Sequence, residues 1–184
     1  DAWFMPMLFD GVGDAIKMRQ ADASEELLAM FEEENLVGMD WILSGSHSVM
    51  MKEGVMDHPD TFEGKLIRAP ETSVISDFYN LMGASAEAMP LTEVYSSLQS
   101  GLVDGVNASA QSAVTEAYYE VAKDFTLSQS FAWPATILMS KDTFDSVSAD
   151  DQDIVFEAME VAIDCGNERA IEEDQEYLEF LEEQ

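Results

Sequence analysis

Short apolar runs of extended character alternate with helical segments over most of the chain, and this alternation constrains the fold more than any other feature. "GMDWILSG" and "KLIRAPE" are predicted strands, and the segment "SVISDFYNLMG" between Ser73 and Gly83 is a predicted helix that ends at its glycine. Strands and helices recur at short spacing. The pattern therefore favours an α/β fold with a parallel sheet and crossover helices.

The C-terminal end is predicted to form one very long helix, or two helices in line. "SADD", which begins at Ser148, is a capping signature, and apolar or small residues recur at helical spacing from Val155 to the final "YLEFLEEQ". A helix of roughly 35 residues extends about 50 Å at 1.5 Å per residue, which exceeds the width of a small domain. We therefore expect this helix to brace two lobes of the molecule.

The chain is strongly acidic. It has 8 Lys and Arg residues against 38 Asp and Glu residues, so its formal net charge is −30 at pH 7. Like charges repel, and this excludes nucleic acids and anionic membrane surfaces as expected partners. The charge indicates a strongly solvated surface, and adaptation to high salt would also produce it. The single cysteine, Cys165, leaves no internal disulfide to predict.

No metal, cofactor or nucleophile motif is complete. "DGVGD" at Asp10 resembles the start of a calcium loop, but the later ligand positions are apolar. His47 and His58 have no second histidine or cysteine at ligand spacing. Ser44 and Ser46 lie near His47, but the segment "GSHS" that begins at Gly45 lacks the pattern of a nucleophile elbow. It is predicted to be a flexible surface turn. We therefore expect no metal, no cofactor and no catalytic group.

Arg68 is the most informative residue of the sequence. It lies between Ile67 and Ala69 in a strand-like apolar run, where an unpaired charge would be costly to bury. Two interpretations remain open on the residues alone. The guanidinium either forms a structural ion pair with one of the many carboxylates or faces a cleft, where it binds a ligand carboxylate through two parallel hydrogen bonds.

Trp133 is a second candidate, since it precedes a proline in an extended segment, "SFAWPAT". A tryptophan at this position either stacks on a ligand or fills space at a hinge, and we favour the second interpretation.

Four segments in the same order resemble the solute-binding proteins of tripartite ATP-independent periplasmic (TRAP) transporters, in the dicarboxylate-binding family. The segments are "FEGKLIRAP", "MGASAEAMP", "TEVYSSLQSGLVDG" and "YYEVAKDFT". The resemblance extends outward to "FMPMLFDGVGDAIKM" and to the long helix after "SADDQ", so it covers almost the whole chain.

The resemblance implies a two-lobed, periplasmic-binding-protein-like α/β fold that closes on an organic anion, with the long C-terminal helix bracing both lobes. Residues 1–45 and 134–170 would belong to the first lobe, and residues 46–133 and 171–184 to the second. The family's carboxylate-binding arginine falls on Arg68. Members begin with further elements before the "FMPMLF" segment, so we expect a chain that is incomplete at both ends.

Three positions depart from the family pattern and concern the ligand. His47 stands where many members have a second arginine, so a weaker and pH-sensitive donor would replace a permanent charge. Asn107 lies one position before the place where some members have a ligand-binding asparagine. Leu91 occupies a position where some members have an aromatic residue that packs on the ligand.

The resemblance predicts a periplasmic, monomeric binding protein without enzymatic activity, which captures a small organic acid and delivers it to TRAP membrane permease subunits. Two other functions stay open on the sequence. One is an enzyme on an α/β scaffold that acts on an acidic substrate, although no nucleophile or acid and base pair can be named. The other is a sensor module that detects the same ligand.

Overall fold

The computed structural model describes residues 2–184, which form a five-stranded sheet with helices packed against it. The strands are β1 (Leu36–Met51), β2 (Leu66–Ala69), β3 (Ser85–Ala88), β4 (Gly105–Ser109) and β5 (Asp124–Ser140). The α-helices are α1 (Val12–Ala15), α2 (Asp22–Ala29), α3 (Ser73–Leu81), α4 (Leu91–Ser100), α5 (Ala110–Thr115), α6 (Lys141–Asp145) and α7 (Ala149–Glu182). Short 3₁₀ helices cover Ala2–Phe4, Ile16–Gln20, Met30–Glu34, Pro59–Phe62 and Tyr118–Glu120.

The sheet is mixed, with the strand order β3-β2-β4-β1-β5. β2 runs parallel to both β3 and β4. Helix α3 is the crossover from β2 to β3, and helix α4 is the crossover from β3 to β4. β1 is antiparallel to β4 and to β5. The prediction of a parallel sheet is therefore correct for three strands and wrong for the two longest, because the spacing of elements along the chain does not show which strands become neighbours.

β1 is longer than predicted and contains the supposed surface turn. The strand continues through "GSHS" to Met51, and His47 and Ser48 are buried. Gly45, with φ of +96°, belongs to an irregularity inside the strand: Leu43 pairs with Pro134 and Ser46 pairs with Ala132. Two residues of β1 thus oppose one residue of β5, which is a β-bulge. The prediction of a turn was wrong because a glycine with positive φ serves turns and bulges alike.

Side chains of the sheet alternate between two hydrophobic clusters. Val49 and Met51 join Ile67, Tyr79 and Phe131 on one face, together with Met56, Phe62, Ala69, Ile75 and Ala84. Met50 points to the other face, where the second cluster consists of Met89, Val94, Leu98, Val103, Val106, Ala108, Ala113, Tyr118 and Ala122. This period of two is the regular consequence of strand geometry. It fixes which residues of β1, β2 and β4 can reach a common site.

The long helix α7 is continuous over 34 residues, so of the two arrangements that the sequence left open the single helix is correct. It begins after Ser148, whose hydroxyl accepts a hydrogen bond from the Asp151 amide at 3.3 Å. Asn167 accepts a hydrogen bond from the Leu43 amide of β1 at 3.0 Å. Near the other end of the helix, Leu181 packs against the second cluster. The helix thus contacts β1 beside the bulge and, near its C-terminal end, the second hydrophobic cluster.

Candidate ligand-binding site

A cavity of about 260 Å³ lies where β1, β2, β4 and β5 come together, and all five candidate residues of the sequence line it. The lining consists of Ser44, His47, Arg68, Pro70, Leu91, Asn107, Ser112, Tyr118 and Trp133. The volume lies slightly below the range of roughly 300–1,000 Å³ that is typical of sites for drug-sized ligands. The cavity therefore suits a small metabolite. The role of the five residues as ligand contacts remains a prediction.

Arg68 is buried, with about 5% of its surface accessible. Its position in β2 is fixed by pairing with Val106 of β4 and Glu87 of β3. Its side chain donates two hydrogen bonds to the main-chain carbonyl of Met89, from Nε at 3.0 Å and from Nη2 at 2.7 Å. These bonds occupy one side of the guanidinium. Of its five N–H donors, three remain, and they include both on Nη1.

No carboxylate of residues 2–184 forms an ion pair with Arg68, so the structure does not support the structural ion-pair interpretation. Burial lowers the pKa of Arg68, and the nearby Tyr118 and Glu71 oppose this effect. The guanidinium stays charged at any ordinary pH because its unperturbed pKa is so high. A buried cation that is held by one neutral carbonyl would gain free energy from an anionic partner.

His47 and Asn107 meet through a hydrogen bond of 2.7 Å between His47 Nδ1 and Asn107 Oδ1. The pairing of His47 with Ser109 and of Val49 with Asn107 places the two side chains on the same face of neighbouring strands. Asn107 Nδ2 donates to the Tyr79 hydroxyl at 2.9 Å and lies 3.4 Å from the Ser48 carbonyl. All polar atoms of the Asn107 side chain are thus engaged. Asn107 lines the cavity, but its main role in this conformation is to hold the histidine.

The charge state of His47 differs from the expectation for an exposed histidine. Burial lowers the pKa of His47 to about 4; the Asn107 hydrogen bond opposes this lowering in part, and the nearby Arg68 adds a smaller lowering. The ring is therefore neutral at pH 7. The sequence analysis expected a pH-sensitive donor here, and the ring instead stays neutral over the ordinary pH range because the position lies inside the sheet and not on a surface turn.

Trp133 lies opposite the β-bulge of β1, and its ring stacks on that of His47. The ring centroids are 4.1 Å apart and the planes differ by 9°. Phe4 contacts the same indole edge to face at 5.0 Å. Bulges commonly redirect side chains next to functional sites. The indole therefore packs on the histidine ring and also lines the cavity, and stacking on a ligand and filling space at a hinge both stay predictions.

Sequence reasoning did not identify Tyr118 as a site residue. The Tyr118 side chain lines the cavity, and its hydroxyl is buried without a hydrogen-bond partner in the described part of the chain. Burial raises the pKa of Tyr118 to about 12, so the hydroxyl keeps its proton. The available signal was its place in "YYEVAK", one of the segments that carry the family resemblance. Leu91 borders the same cavity and is about half exposed, as a rim residue would be.

Within residues 2–184 no three His, Cys, Asp or Glu side chains are grouped so that they could hold a metal ion. None of the helices in that range has the length and apolar character required to cross a membrane.

Comparisons with known proteins identify relatives of this chain. A solute-binding protein of Chromohalobacter salexigens is 27% identical over 158 residues, which are 86% of this chain and 47% of that protein. The C4-dicarboxylate-binding periplasmic protein DctP of Rhodobacter capsulatus is 27% identical over 177 residues, which are 96% of this chain and 53% of that protein. The chain thus spans about half the length of the curated relatives that it matches.

Solved structures of TRAP periplasmic solute-binding proteins share the fold. One from Xanthobacter autotrophicus with bound β-D-galacturonate is 27% identical, with a TM-score of 0.89 and coverage of 98% of this chain and 60% of that chain. One from Shewanella oneidensis with bound succinate is 23% identical, with a TM-score of 0.90 and coverage of 98% and 59%. These likenesses confirm the predicted periplasmic-binding-protein-like fold. The model of the family described as bacterial extracellular solute-binding protein, family 7, matches residues 1–184, and the chain therefore belongs to that family.

Proposed function

We propose that this chain captures a small organic carboxylate through Arg68 and delivers it to the membrane permease of a TRAP transporter. The observation that carries the proposal is the free side of the Arg68 guanidinium, which lines a cavity and has no acidic partner in residues 2–184. Membership of a solute-binding family argues against the enzyme alternative.

The remaining N–H groups of Arg68 suit a carboxylate because Nη1 and Nη2 can each donate to one of its two oxygens. Such paired, charge-assisted bonds are shorter and stronger than neutral ones, and a lysine cannot reproduce their geometry. The ligands named for similar structures are succinate, β-D-galacturonate and, in a protein of Pseudomonas aeruginosa, L-malate. Each of these ligands carries a carboxylate, which supports the same chemistry for this chain.

Ligand capture in the proposed manner needs two lobes that close. We assign residues 1–45 and 134–170 to the first lobe and residues 46–133 and 171–184 to the second. The boundary at residues 45 and 134 coincides with the β-bulge, where the pairing of β1 with β5 changes register. A bulge weakens the ladder locally and bends the strand, so it is a reasonable place for a hinge. Closure would exclude water and strengthen the Arg68 contact.

The partners follow from the family. We propose a periplasmic location, in agreement with relatives whose names include "periplasmic". The net charge of −30 opposes self-association at low salt, which supports a monomer. The permease subunits would recognise the closed, ligand-bound form.

A direct test compares each acid with its uncharged amide. Calorimetric titration of the protein with succinate, L-malate and D-galacturonate, and with the corresponding amides, measures whether the carboxylate itself is recognised. We expect at least one acid to bind and its amide to bind at least about 30-fold more weakly, because loss of a buried charge pair costs roughly 2–5 kcal/mol. Equal affinity for an acid and its amide would contradict the proposal.

A further inference from the structure

The surroundings of Asn107 determine which ring nitrogen of His47 carries the proton. One end of the Asn107 amide lies 3.4 Å from the Ser48 carbonyl, which can only accept a hydrogen bond, so that end is the NH₂ group. The other end is therefore the oxygen, and it lies 2.7 Å from His47 Nδ1. An amide oxygen also only accepts. Nδ1 must therefore carry a hydrogen and donate it.

The other ring nitrogen, Nε2, is consequently an acceptor. A neutral imidazole has one N–H and one lone pair, and the hydrogen is on Nδ1. The charged and titratable groups near the ring favour the neutral form: the positive charge of Arg68 lowers the pKa of the ring, and Tyr118 lines the same cavity as an uncharged phenol. No residue of the described chain donates a hydrogen bond to Nε2, while about 9% of the surface of His47 remains accessible.

We propose that the cavity selects carboxylates that also carry a hydroxyl group, with the carboxylate bound by Arg68 and the hydroxyl donating its hydrogen to Nε2 of His47. The ligand class is thus hydroxy acids and sugar acids. This inference rests on the proposed function, because it takes the carboxylate contact with Arg68 as given. A second carboxylate placed at His47 would instead set oxygen lone pairs against a nitrogen lone pair, so plain dicarboxylates are disfavoured.

The surroundings of the ring keep this acceptor in place. Trp133 stacks on the imidazole at 4.1 Å and Asn107 holds its far side, so neither a rotation of the ring nor a change of tautomer is possible without breaking a contact. Ser44 also lines the same cavity, and its hydroxyl offers a further partner to a ligand with several hydroxyl groups. A site built to bond a hydroxyl group discriminates against the analogue that lacks it, because its own polar atom then stays unpaired.

The test uses acid pairs that differ by one hydroxyl group: propionate and lactate, succinate and malate, and glutarate and 2-hydroxyglutarate, with both enantiomers of each hydroxy acid. Calorimetric titration at pH 7.5 should give about tenfold tighter binding for the hydroxy member of the pair that fits best. His47→Phe keeps a flat ring against Trp133 but removes the acceptor, and should reduce that ratio to about one. His58→Phe alters the only other histidine and should leave the ratio unchanged.

Nuclear magnetic resonance provides a readout that a purely structural histidine would not move. With only two histidines in the chain, ¹⁵N labelling of the rings gives two sets of signals, and the His58→Phe variant assigns them. We expect the Nδ1–H tautomer for His47 before ligand is added. The Nε2 signal should then shift toward lower frequency when a hydroxy acid binds, as for a nitrogen that accepts a hydrogen bond.

The outcomes separate this inference from the proposed function. If the deoxy acids bind as tightly as their hydroxy partners, the selection of hydroxyl groups is refuted while carboxylate capture stands. A proton on Nε2 in the free protein would refute it as well. If none of these acids binds, with or without a hydroxyl group, the proposed function itself fails.

Discussion

Replacing Arg68 by methionine should separate a ligand-binding role of its guanidinium from a structural one. Methionine preserves much of the apolar length of the side chain and removes the charge together with all five donors. If the free side of the guanidinium binds the ligand carboxylate, affinity should fall by roughly 2–5 kcal/mol, or about 30-fold to 4,000-fold. Arg68→Lys should recover only part of this loss, because a point charge cannot form two parallel hydrogen bonds.

The stability of the ligand-free protein should change much less. The substitution leaves the Met89 carbonyl without its two bonds from Arg68, which costs roughly 1–3 kcal/mol if no water replaces them. It also removes a buried cation that has no acidic partner, and this relief acts in the opposite direction. We therefore expect the free energy of unfolding to change by no more than about 2 kcal/mol.

The assay combines calorimetric titration with urea unfolding on the same samples, using whichever of succinate, L-malate and D-galacturonate binds the wild type most tightly. Arg169→Met is the matched control, since Arg169 lies on the surface of α7 and pairs with Glu172, Glu173 and Glu176. It should bind like the wild type. The reasoning is refuted if Arg68→Met retains wild-type affinity, or if it destabilises the fold strongly while the folded fraction binds normally.

Tyr118→Phe should leave the ligand-free protein at least as stable as the wild type in urea unfolding. The buried hydroxyl has no partner in the described chain and therefore carries an uncompensated cost of roughly 1–3 kcal/mol. A clear loss of stability would show that the hydroxyl is bonded in solution. His47 should make stability depend on pH. The pKa of His47 is about 4 in the folded protein and about 6.5 in the unfolded chain, so the unfolded chain binds more protons between these pH values. The folded state therefore loses stability as the pH falls through this window, by on the order of 3 kcal/mol at its lower end. The difference between wild type and His47→Gln, measured at pH 4.5 and 7.5, isolates this effect from the many carboxylates, and an equal difference at both values would contradict it.

The sequence alone led to the site mainly through one physical anomaly. A charged Arg68 within the apolar run of β2 demanded a partner, and the motifs around it indicated the family that the comparisons confirm. The long helix α7 was also predictable, because its capping serine and its helical periodicity are local features of the sequence. Both predictions depend on information that is contained in adjacent residues.

Other features depend on contacts between distant parts of the chain and could not be predicted. The length of β1 was missed because Gly45 suggested a turn, and only pairing with β4 and β5 shows that the strand continues. The charge state of His47 follows from burial by those neighbours. The acceptor for Arg68 is a main-chain carbonyl at Met89, which leaves no mark in the sequence.

The use of a main-chain carbonyl to hold Arg68 has a consequence for how the cavity can change. Every residue at position 89 would supply the same main-chain carbonyl unless it displaced the backbone. The two bonds that direct the guanidinium therefore do not depend on the identity of the side chain at that position. Under the proposed function, residues that border the cavity, such as Leu91, Ser112 and Trp133, can then be exchanged to admit ligands of other shapes while the proposed carboxylate anchor stays in place. If Arg68 is the anchor, specificity and anchoring are separable on this scaffold, and a library randomised at those three positions should yield binders for different acids from one unchanged arginine.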